Sequence, residues 1–501
     1  MAPLHVGDIG LVNLSLIAAV SGIFYIAYKV VYNVLFHPLR SFPGPISHRI
    51  SNVPRAIQMM RGHLPFHVAD LHREYGPVVR IAPDELAFSD PQAWKDIYGH
   101  RAPGQEEFAK HKGFYRPFDA MPTSIISDPR EEHSAVRRQL AHGFSDRSMR
   151  GQEPIIGEYV DLLVQRLHAN AEGGKKAVNM REWLNWTTFD IIGDLGFGSS
   201  FGMLASSDYH PWVKLIVQTV KQSGQLQALI NVGLRPVVQF LSRNGFLKSR
   251  DEHRALVRNK LSQRIEMGAE RPDLIEGLIA THKKDEKAMP FPKLAINAGT
   301  LIVAGSETTA TLLSGAIYLL TAYPETLSKL THEVRSSFSD DKEITLFSVA
   351  NLHYMLACIN ESFRRYPPVA FGMPRQVPKG GAQVAGHFIP EDTVTAVWQY
   401  AANHDPNNWK DPMGFHPERF MGDPGFKTDK LDALQPFSVG PRNCIGRNLA
   451  YAEMRLILAK IIYNFDLTLA DESRNWLEGQ KAYILWEKPA LDVYLTPAVH
   501  S

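Results

Sequence analysis

The chain has 501 residues, of which 44% are hydrophobic and 21% charged, and its 54 Lys and Arg residues against 52 Asp and Glu residues give a formal net charge of +2 at pH 7. A chain this long and apolar can bury a large core, which excludes intrinsic disorder, and its 2 cysteines are too few for a secreted disulfide scaffold. The balanced charge excludes a protein that binds nucleic acid chiefly through phosphate contacts. We therefore expect a large folded protein of a reducing compartment, with no nucleic-acid partner.

The first predicted element is a membrane anchor. Residues 9–28 carry no charged side chain, and as an α-helix they would be about 30 Å long, which matches the hydrocarbon core of a bilayer. The stretch is longer than the apolar part of a signal peptide and no small-residue cleavage site follows it, so we favour an uncleaved anchor. Basic residues, beginning with Lys29 and Arg40, follow the stretch and none precedes it, which predicts a lumenal N-terminus and a cytosolic remainder.

A rigid linker and one large domain are predicted after the anchor. Residues 42–45 read Phe-Pro-Gly-Pro, where two prolines restrict φ and the glycine permits a sharp change of direction. No repeat, low-complexity tract or second linker follows in the sequence. We therefore divide the chain into an N-terminus with anchor helix at residues 1–36, a proline-rich linker at residues 37–48 and a single large domain at residues 49–501.

Hydrophobic periodicity predicts a mainly helical domain with a minor β region. Apolar residues repeat with the helical period over residues 157–167, 183–195, 251–267, 293–322, 349–365 and 447–464. Short runs typical of strands lie at residues 78–81, 383–389, 393–397 and 491–495.

The predicted helix at residues 293–322 is apolar on every side, which favours a helix buried through the middle of the protein. It contains the segment Ala304-Gly305-Ser306-Glu307-Thr308-Thr309. An acid is costly to bury unless it is used, and Thr308 can donate back to the carbonyl of Ala304 and open the helix locally, while Gly305 leaves room beside it. Standing alone, the segment would equally fit a patch of hydroxyl groups satisfied by such local bonds.

Three charged residues in apolar surroundings form a further candidate group. Glu361 and Arg364 lie three residues apart on one face of an apolar helix, and Arg419 is a plausible third member of a buried network, since a buried ion pair needs additional partners. The alternative is a solvated ion pair. For either arrangement the expected role is structural.

The residues from Phe437 to Gly446 place Cys444 just before the helix predicted at residues 447–464, with Gly440 and Gly446 on either side. Backbone N–H groups and the dipole at a helix N-terminus stabilise a thiolate, so we expect a lowered cysteine pKa and a ligand or nucleophile at this position. The glycines let the backbone approach a flat, bulky group. The other cysteine, Cys358, lies in an apolar run and is predicted to be buried and inert.

These segments together carry a family resemblance. Residues 437–446 resemble the FxxGxRxCxG haem-binding loop of the cytochrome P-450 monooxygenases at every fixed position, and residues 304–309, 361–364 and 417–420 resemble the family's (A/G)Gx(D/E)T(T/S), ExxR and PxRF motifs in family order. Residues 37–40 and 405–409 are similar to segments of fungal enzymes of secondary metabolism, including trichothecene-type hydroxylases.

The resemblance implies a microsomal P-450 fold, mainly α with a minor β region, behind one transmembrane helix in the endoplasmic reticulum membrane. It implies a catalytic domain that faces the cytosol and binds haem b. The implied reaction uses O2 and NADPH electrons to hydroxylate, epoxidise or desaturate a lipophilic substrate, such as a polyketide, terpenoid or alkaloid intermediate. No flavin- or nicotinamide-binding glycine motif is present, so the electrons are expected from NADPH-cytochrome P-450 reductase, with a cytochrome b-type protein as an optional second donor.

The resemblance also implies roles for individual residues around the haem. Cys444 would be the axial thiolate ligand of the iron, Phe437 would tune its sulfur, and Arg442 would bind a propionate. Residues 133–137 resemble the family's WxxxR segment with histidine in place of tryptophan, which assigns Arg137 to a propionate and leaves His133 either a donor to it or a surface residue. The remaining expected cofactor contacts are Arg375, placed only by its spacing from Arg364, and Gly440, Gly446, Ala304 and Gly305.

For the chemistry, the resemblance implies that Thr308 orders the hydrogen bonds for protonation of dioxygen and that Glu307 belongs to the path of proton delivery. The expected substrate pocket is apolar, and it is placed by analogy at Phe118, Leu301, Val369, Phe371 and Ile484, each of which could equally be ordinary core.

Three other functions stay open on the sequence. A haem-thiolate isomerase or lyase would work without a reductase, although such enzymes often lack the pair formed by Thr308 and Glu307. A hydrolase would use Cys444 as nucleophile, but no recognisable base or oxyanion motif accompanies it. A membrane-tethered binding protein would leave the Thr308 site without a role.

Overall fold

The computed structural model describes residues 6–116, 122–245, 248–268 and 273–500. The predicted pocket residue Phe118 lies outside the described residues. Helices dominate the described chain: α1 (Val6–Val31), α2 (Ile46–Ile50), α3 (Val53–Arg61), α4 (Leu64–Tyr75), α5 (Gln92–Tyr98), α6 (Lys112–Tyr115), α7 (Arg130–Ala141), α8 (Asp146–Asn170), α9 (Met180–Phe197), α10 (Met203–Ser206), α11 (Pro211–Asn231), α12 (Arg235–Arg243), α13 (Lys248–Glu266), α14 (Glu276–Lys284), α15 (Phe291–Ala322), α16 (Pro324–Ser337), α17 (His353–Arg365), α18 (Gln399–His404) and α19 (Arg447–Asn464).

The strands are short and lie in small sheets: β1 (Val78–Ala82), β2 (Glu85–Phe88), β3 (Ala109–Lys110), β4 (Ala177–Asn179), β5 (Arg375–Gln376), β6 (Ala382–Val384), β7 (His387–Ile389), β8 (Val394–Val397), β9 (Phe465–Leu469), β10 (Lys481–Ala482), β11 (Trp486–Glu487) and β12 (Asp492–Pro497). The largest sheet has the order β1-β2-β8-β5-β3, in which β2 and β8 run parallel. The C-terminal strand β12 pairs with both β4 and β9. The predicted mainly helical fold with a minor β region is confirmed.

The N-terminal helix stands apart from the folded domain. The segment Asn13–Phe36 is 24 residues long, apolar enough to cross a membrane, and has none of its most apolar window buried in the protein. The linker that follows folds back on β1, because Arg80 N donates to Pro43 O at 2.7 Å and the Arg80 guanidinium donates to Asn33 O at 2.9 Å. A Cβ at Gly44 would overlap the carbonyl oxygen of Arg80, so this close approach requires glycine.

Two boundary predictions are wrong for local reasons. Residues 383–389 form the hairpin β6–β7 rather than one strand, because Ala385 and Gly386 both adopt positive φ in the tight turn between them. The helix predicted from residue 349 begins as α17 at His353. The carboxylate of Glu333, on α16, accepts hydrogen bonds from the N–H groups of Tyr354 and Met355 and thereby caps the new start.

The central helix α15 packs along α9 through small residues. Gly305 lies against Ile192, and Gly196 lies against Ile302, so the two helices approach closely at both points. We expected burial on every side of α15. The helix is buried continuously over residues 309–320, but Ala304 is exposed and Thr308 is partly exposed, because this turn faces a cavity.

Candidate functional site

One cavity brings together most of the predicted site residues. Its walls come from α15, from α7, from the segment that follows α17 and from the loop that precedes α19. The predicted residues that line it are Leu301, Ala304, Gly305, Thr308, His133, Arg137, Val369, Phe437, Arg442, Cys444 and Gly446. The separate motifs of the sequence therefore converge on one space.

The cysteine loop is shaped by its own backbone. Cys444 N donates to Phe437 O at 2.8 Å, and Asn443 N donates to Gly440 O at 3.1 Å, which folds the loop tightly before α19 begins. Gly440 has a φ of +75°, and a Cβ there would overlap the carbonyl oxygen of Tyr98. Gly440, predicted as a cofactor contact, is absent from the cavity lining, and its glycine is required by this close approach instead.

The thiol of Cys444 faces the cavity and is exposed there. The expected lowering of its pKa is wrong. The surrounding protein raises the pKa of Cys444 by burial, which outweighs the opposing effects of the Gly446 N–H group and the Arg137 guanidinium. Cys358 is buried as predicted, and burial raises the pKa of its thiol well above the usual value.

Aromatic rings pack beside the cysteine loop. The Phe437 ring lies 5.2 Å from the ring of Phe363 and 5.1 Å from that of Tyr451, measured between centroids. Phe363 belongs to α17 and Tyr451 to α19, so this cluster joins the loop to both helices. Phe437 consequently has a fixed position at the cavity wall.

A cationic cluster forms one edge of the cavity. Arg137 donates to the backbone and side-chain oxygens of Asn443, each at 2.6 Å, and thus holds the cysteine loop. Arg442 donates to the carboxylate of Glu107 at 2.6 Å and to Asp128 O at 2.9 Å. His133 is buried beside them, and burial together with the charges of Arg442 and Arg137 lowers the pKa of its imidazole to about 4.

Arg375 and Lys110 complete this edge in different ways. Arg375 is absent from the cavity lining and donates to Phe108 O at 3.1 Å, and its Nε has no hydrogen-bond partner among the residues that the structure describes. Lys110, which sequence reasoning missed, lines the cavity with its ammonium 4.3 Å from the centre of the Tyr115 ring. Burial and the charges of Arg375 and Arg442 lower the pKa of Lys110 well below its usual value. The guanidinium groups of Arg375 and Arg442 therefore disfavour a charge on Lys110, and the positive charge of this edge comes from the arginines.

On α15 the structure separates the two predicted chemical residues. Thr308 lines the cavity and its hydroxyl donates to Ala304 O at 2.6 Å, which is the local bond expected from the sequence. Glu307 is absent from the cavity lining and is buried, with one carboxylate oxygen bound to Nζ of Lys488 and the other without a hydrogen-bond partner in the described part of the chain. Lys488 is a second residue that sequence reasoning missed.

The charged network behind the site is fully enclosed. The Glu361 carboxylate accepts two hydrogen bonds from Arg364, each at 2.8 Å, and one from Arg419 Nε at 3.2 Å, and these side chains are 0% exposed. Arg364 also donates to three backbone carbonyls, and Arg419 pairs with Asp429. The three residues join α17 to the segment that precedes the cysteine loop.

The predicted substrate residues divide between cavity and core. Leu301 and Val369 line the cavity, whereas Phe371 is buried with its ring 5.5 Å from that of Trp398, and Ile484 is partly buried outside the lining. Sequence reasoning missed three apolar lining residues: Phe144, Ile192 and Leu274. These side chains come from three different parts of the chain, and no local pattern marks them.

Comparisons with known proteins point in one direction. The family model described as Cytochrome P-450 matches residues 41–493. The chain is 50% identical to the cytochrome P-450 monooxygenase tpeC of Talaromyces stipitatus, over 94% of this chain and 93% of that protein. It is 46% identical to the trichothecene C-15 hydroxylase of Fusarium sporotrichioides, over 95% and 97% of the two chains. It is 44% identical to the averantin hydroxylase of Dothistroma septosporum, over 93% and 88%.

Proposed function

The chain belongs to the cytochrome P-450 family and is a monooxygenase of the fungal secondary-metabolism type, and from this premise we propose that it oxidises a lipophilic secondary-metabolite intermediate with O2 and with NADPH electrons from a separate reductase. The observation that carries the proposal is the cavity itself. A single cysteine, a cationic edge and the threonine turn of α15 all face it.

The residues of the cavity fit a haem bound through Cys444. The thiol is a soft ligand that suits iron, and it is exposed to the cavity. Gly446 and Gly305 contribute no side chain to the lining, which suits a flat group lying close to the backbone. The cationic edge, with the guanidinium groups of Arg137 and Arg442 beside the carboxylate of Glu107, suits an anionic propionate.

When bound, the haem supplies the activation of O2, and electron donation from a cysteine thiolate favours cleavage of the O–O bond. The protein's own residues prepare the surroundings. The Thr308 hydroxyl donates a hydrogen bond to Ala304 O, so its oxygen can accept a hydrogen bond from a donor in the cavity. Leu301, Val369 and the other apolar side chains limit water and select a lipophilic substrate by shape.

The substrate class and location follow from the same features. An apolar cavity and relatives that include a trichothecene hydroxylase and an averantin hydroxylase support a terpenoid, polyketide or alkaloid-like substrate. The apolar helix supports anchoring by residues 1–36 in the endoplasmic reticulum membrane. Residues 37–48 then act as the linker, and residues 49–501 form a cytosolic domain that receives electrons from NADPH-cytochrome P-450 reductase, with a cytochrome b-type protein as an optional second donor.

The first test is the carbon monoxide difference spectrum of the dithionite-reduced protein and of its Cys444→Ser variant. We expect a red-shifted Soret band in the natural protein and its loss in the variant, because thiolate ligation produces this band. Arg474→Met, a change at an exposed ion pair, is the control and should retain the band. A folded natural protein without haem would refute the proposal.

A second measurement separates the monooxygenase from a haem-thiolate isomerase. Turnover of candidate substrates is measured with and without NADPH and reductase. We expect product only when both are present, with one atom of ¹⁸O2 incorporated on hydroxylation. Product formed without NADPH and without oxygen uptake would favour the isomerase.

A further inference from the structure

A buried ion pair links the central helix to the C-terminal β region. Nζ of Lys488 binds one carboxylate oxygen of Glu307 and also donates to Thr311 Oγ1 at 2.6 Å. Glu307 is 6% exposed and Lys488 is 7% exposed, so the pair is removed from solvent. Such a pair offsets its desolvation only when its geometry is held and its remaining polar atoms find partners.

The backbone around Lys488 is held in place by side chains from several elements. Arg181, at the start of α9, donates to Lys488 O at 2.9 Å, and Trp476 donates to Pro489 O at 3.2 Å. Two residues earlier, the Trp486 indole donates to Pro367 O at 2.8 Å. The ammonium group of Lys488 is therefore delivered to Glu307 by a rigid segment rather than by a mobile surface chain.

Several buried polar atoms on α15 and α9, two helices that pack together, lack partners. Glu307 Oε2, Asn185 Oδ1 and Trp186 Nε1 are all buried without a hydrogen-bond partner among the described residues. Asn185 and Trp186 belong to α9, which packs along α15, and Asn185 Nδ2 donates to Tyr209 OH at 3.3 Å. Buried polar atoms of this kind are usually satisfied by ordered water.

Tyr209 is the partly exposed member of this group. Its ring lies 5.7 Å from that of Trp186 and it is partly exposed. Burial raises the pKa of the Tyr209 phenol, the hydrogen bond with Asn185 and the charge of Arg181 oppose this increase, and the charges of Glu182 and Glu307 add to it. Tyr209, Asn185 and Trp186, which contact one another, are named here the α9 inlet.

We propose that Lys488 is a positioning residue, which holds one oxygen of Glu307 so that the other receives protons from water in the α9 inlet and passes them toward the Thr308 turn. The inference rests on the proposed monooxygenase function. Insertion of one oxygen atom consumes O2, NADPH and one proton, and yields product, water and NADP⁺. Glu307 takes up a proton on its free oxygen, releases it toward the cavity side of α15 and returns to the carboxylate.

The experiment compares Lys488→Met and Lys488→Arg with a matched control, Arg55→Met. Arg55 forms an ion pair of similar burial with Glu85 at 3.0 Å, and neither residue lines the cavity. Purified haem-loaded proteins are mixed with reductase and NADPH without added substrate. The NADPH consumed per O2 is measured together with hydrogen peroxide. One NADPH per O2 accompanies release of peroxide, and two accompany reduction to water, which needs further protons.

We expect Lys488→Met to lower the share of O2 that is reduced to water by about tenfold, because a displaced donor delivers protons poorly. Lys488→Arg should restore most of this share, and Arg55→Met should leave it unchanged although it too lowers stability. Asn185→Leu, which fills the α9 inlet, should lower the share in the same direction as Lys488→Met. An unchanged share in both Lys488→Met and Asn185→Leu would overturn the proposal.

A readout that is independent of turnover is the denaturation midpoint. Lys488→Met should lower it, and Glu307→Gln added to Lys488→Met should recover much of the loss, because the carboxylate left unpaired is then neutral. Additive losses would show that the pair does not interact and would overturn the proposal. Absence of the thiolate band in the natural protein would instead refute the proposed function, whereas a normal band with unaffected Lys488 variants refutes this inference alone.

Discussion

Glu361 and Glu307 are two buried carboxylates that differ in how many of their oxygens accept hydrogen bonds. Both oxygens of Glu361 accept hydrogen bonds from arginines or backbone, and the arginines in turn bind further carbonyls. Glu307 has one oxygen bound to Lys488 and one without a partner. A carboxylate whose two oxygens both accept hydrogen bonds is held rigidly, whereas a carboxylate with one unbonded oxygen can still bind a water molecule or a proton donor there.

A third carboxylate extends the comparison. Glu453 on α19 is 4% exposed and has no ion pair or hydrogen bond among the described residues, and one of its oxygens is buried without a partner. Burial raises the pKa of its carboxyl group to about 8. The three residues therefore form a series from complete to absent hydrogen bonding of a buried carboxyl group.

The largest expected effect comes from breaking the complete network with Arg364→Met. The change removes two hydrogen bonds to Glu361 and leaves three backbone carbonyls without their donor. We expect a loss of about 3–5 kcal/mol in the free energy of unfolding, which is a large part of the stability of a typical domain. Urea denaturation and the yield of haem-loaded protein measure it.

The control for Arg364→Met is Arg474→Met. Arg474 pairs with Asp471 at the same i,i+3 spacing, at 2.8 Å, but both side chains are largely exposed. An exposed pair of this kind contributes less than about 1 kcal/mol. An equal loss of unfolding free energy in the two variants would mean that the buried network stabilises the protein no more than an exposed ion pair does.

The second effect concerns turnover and tests the half-paired carboxylate. Glu307→Gln keeps the size of the side chain and a hydrogen-bond partner for Lys488, but the amide cannot take up and release a proton. We expect NADPH-driven turnover to fall about 100-fold, while the carbon monoxide band and the overall fold persist. Turnover is measured with reductase and an identified substrate. Natural turnover in the variant would remove Glu307 from the proton path.

The third effect is a pH dependence that comes from Glu453. Its pKa of about 8 in the folded protein exceeds the usual value of 4.5, so the folded state binds more protons than the unfolded state between these values. The stabilisation from the protonated carboxyl is present below about pH 4.5 and is lost as the pH rises to about 8. Its slope is on the order of 1 kcal/mol per pH unit.

Glu453→Gln should remove this contribution to the slope. The free energy of unfolding of the two proteins is compared from pH 5 to pH 8, with Glu472→Gln, a change at an exposed carboxylate, as the control that keeps the natural slope. If the unfolding free energies of the natural protein and Glu453→Gln changed in parallel with pH, the raised pKa of Glu453 would be refuted.

The smallest expected effect concerns the hydrogen bond between Lys488 and Thr311 beside the Glu307 ion pair. Thr311→Val removes the hydroxyl that accepts the 2.6 Å hydrogen bond from Lys488, and we expect a loss of about 1 kcal/mol. Thr311→Ser retains the hydroxyl and should lose less. Chemical denaturation of both variants measures the difference. A more stable Thr311→Val protein would mean that this bond does not support Lys488.

Short-range patterns accounted for the features that the sequence predicted. The apolar run became α1, helical periodicity placed α9, α15 and α19, and the local bond from Thr308 to Ala304 O follows from a spacing of four residues. The order of the motifs sufficed to identify the family, because each motif is contiguous. Such features depend on neighbours within one or two turns of chain, which the sequence displays directly.

Features that depend on distant neighbours were decided by the tertiary structure alone. Lys488 reaches Glu307 across 181 residues, and Glu107 reaches Arg442 across 335, so no local pattern marks either partner. The start of α17 was set by Glu333 on another helix. The pKa of Cys444 also departed from expectation, because the local helix terminus is visible in the sequence whereas burial by the whole fold is not.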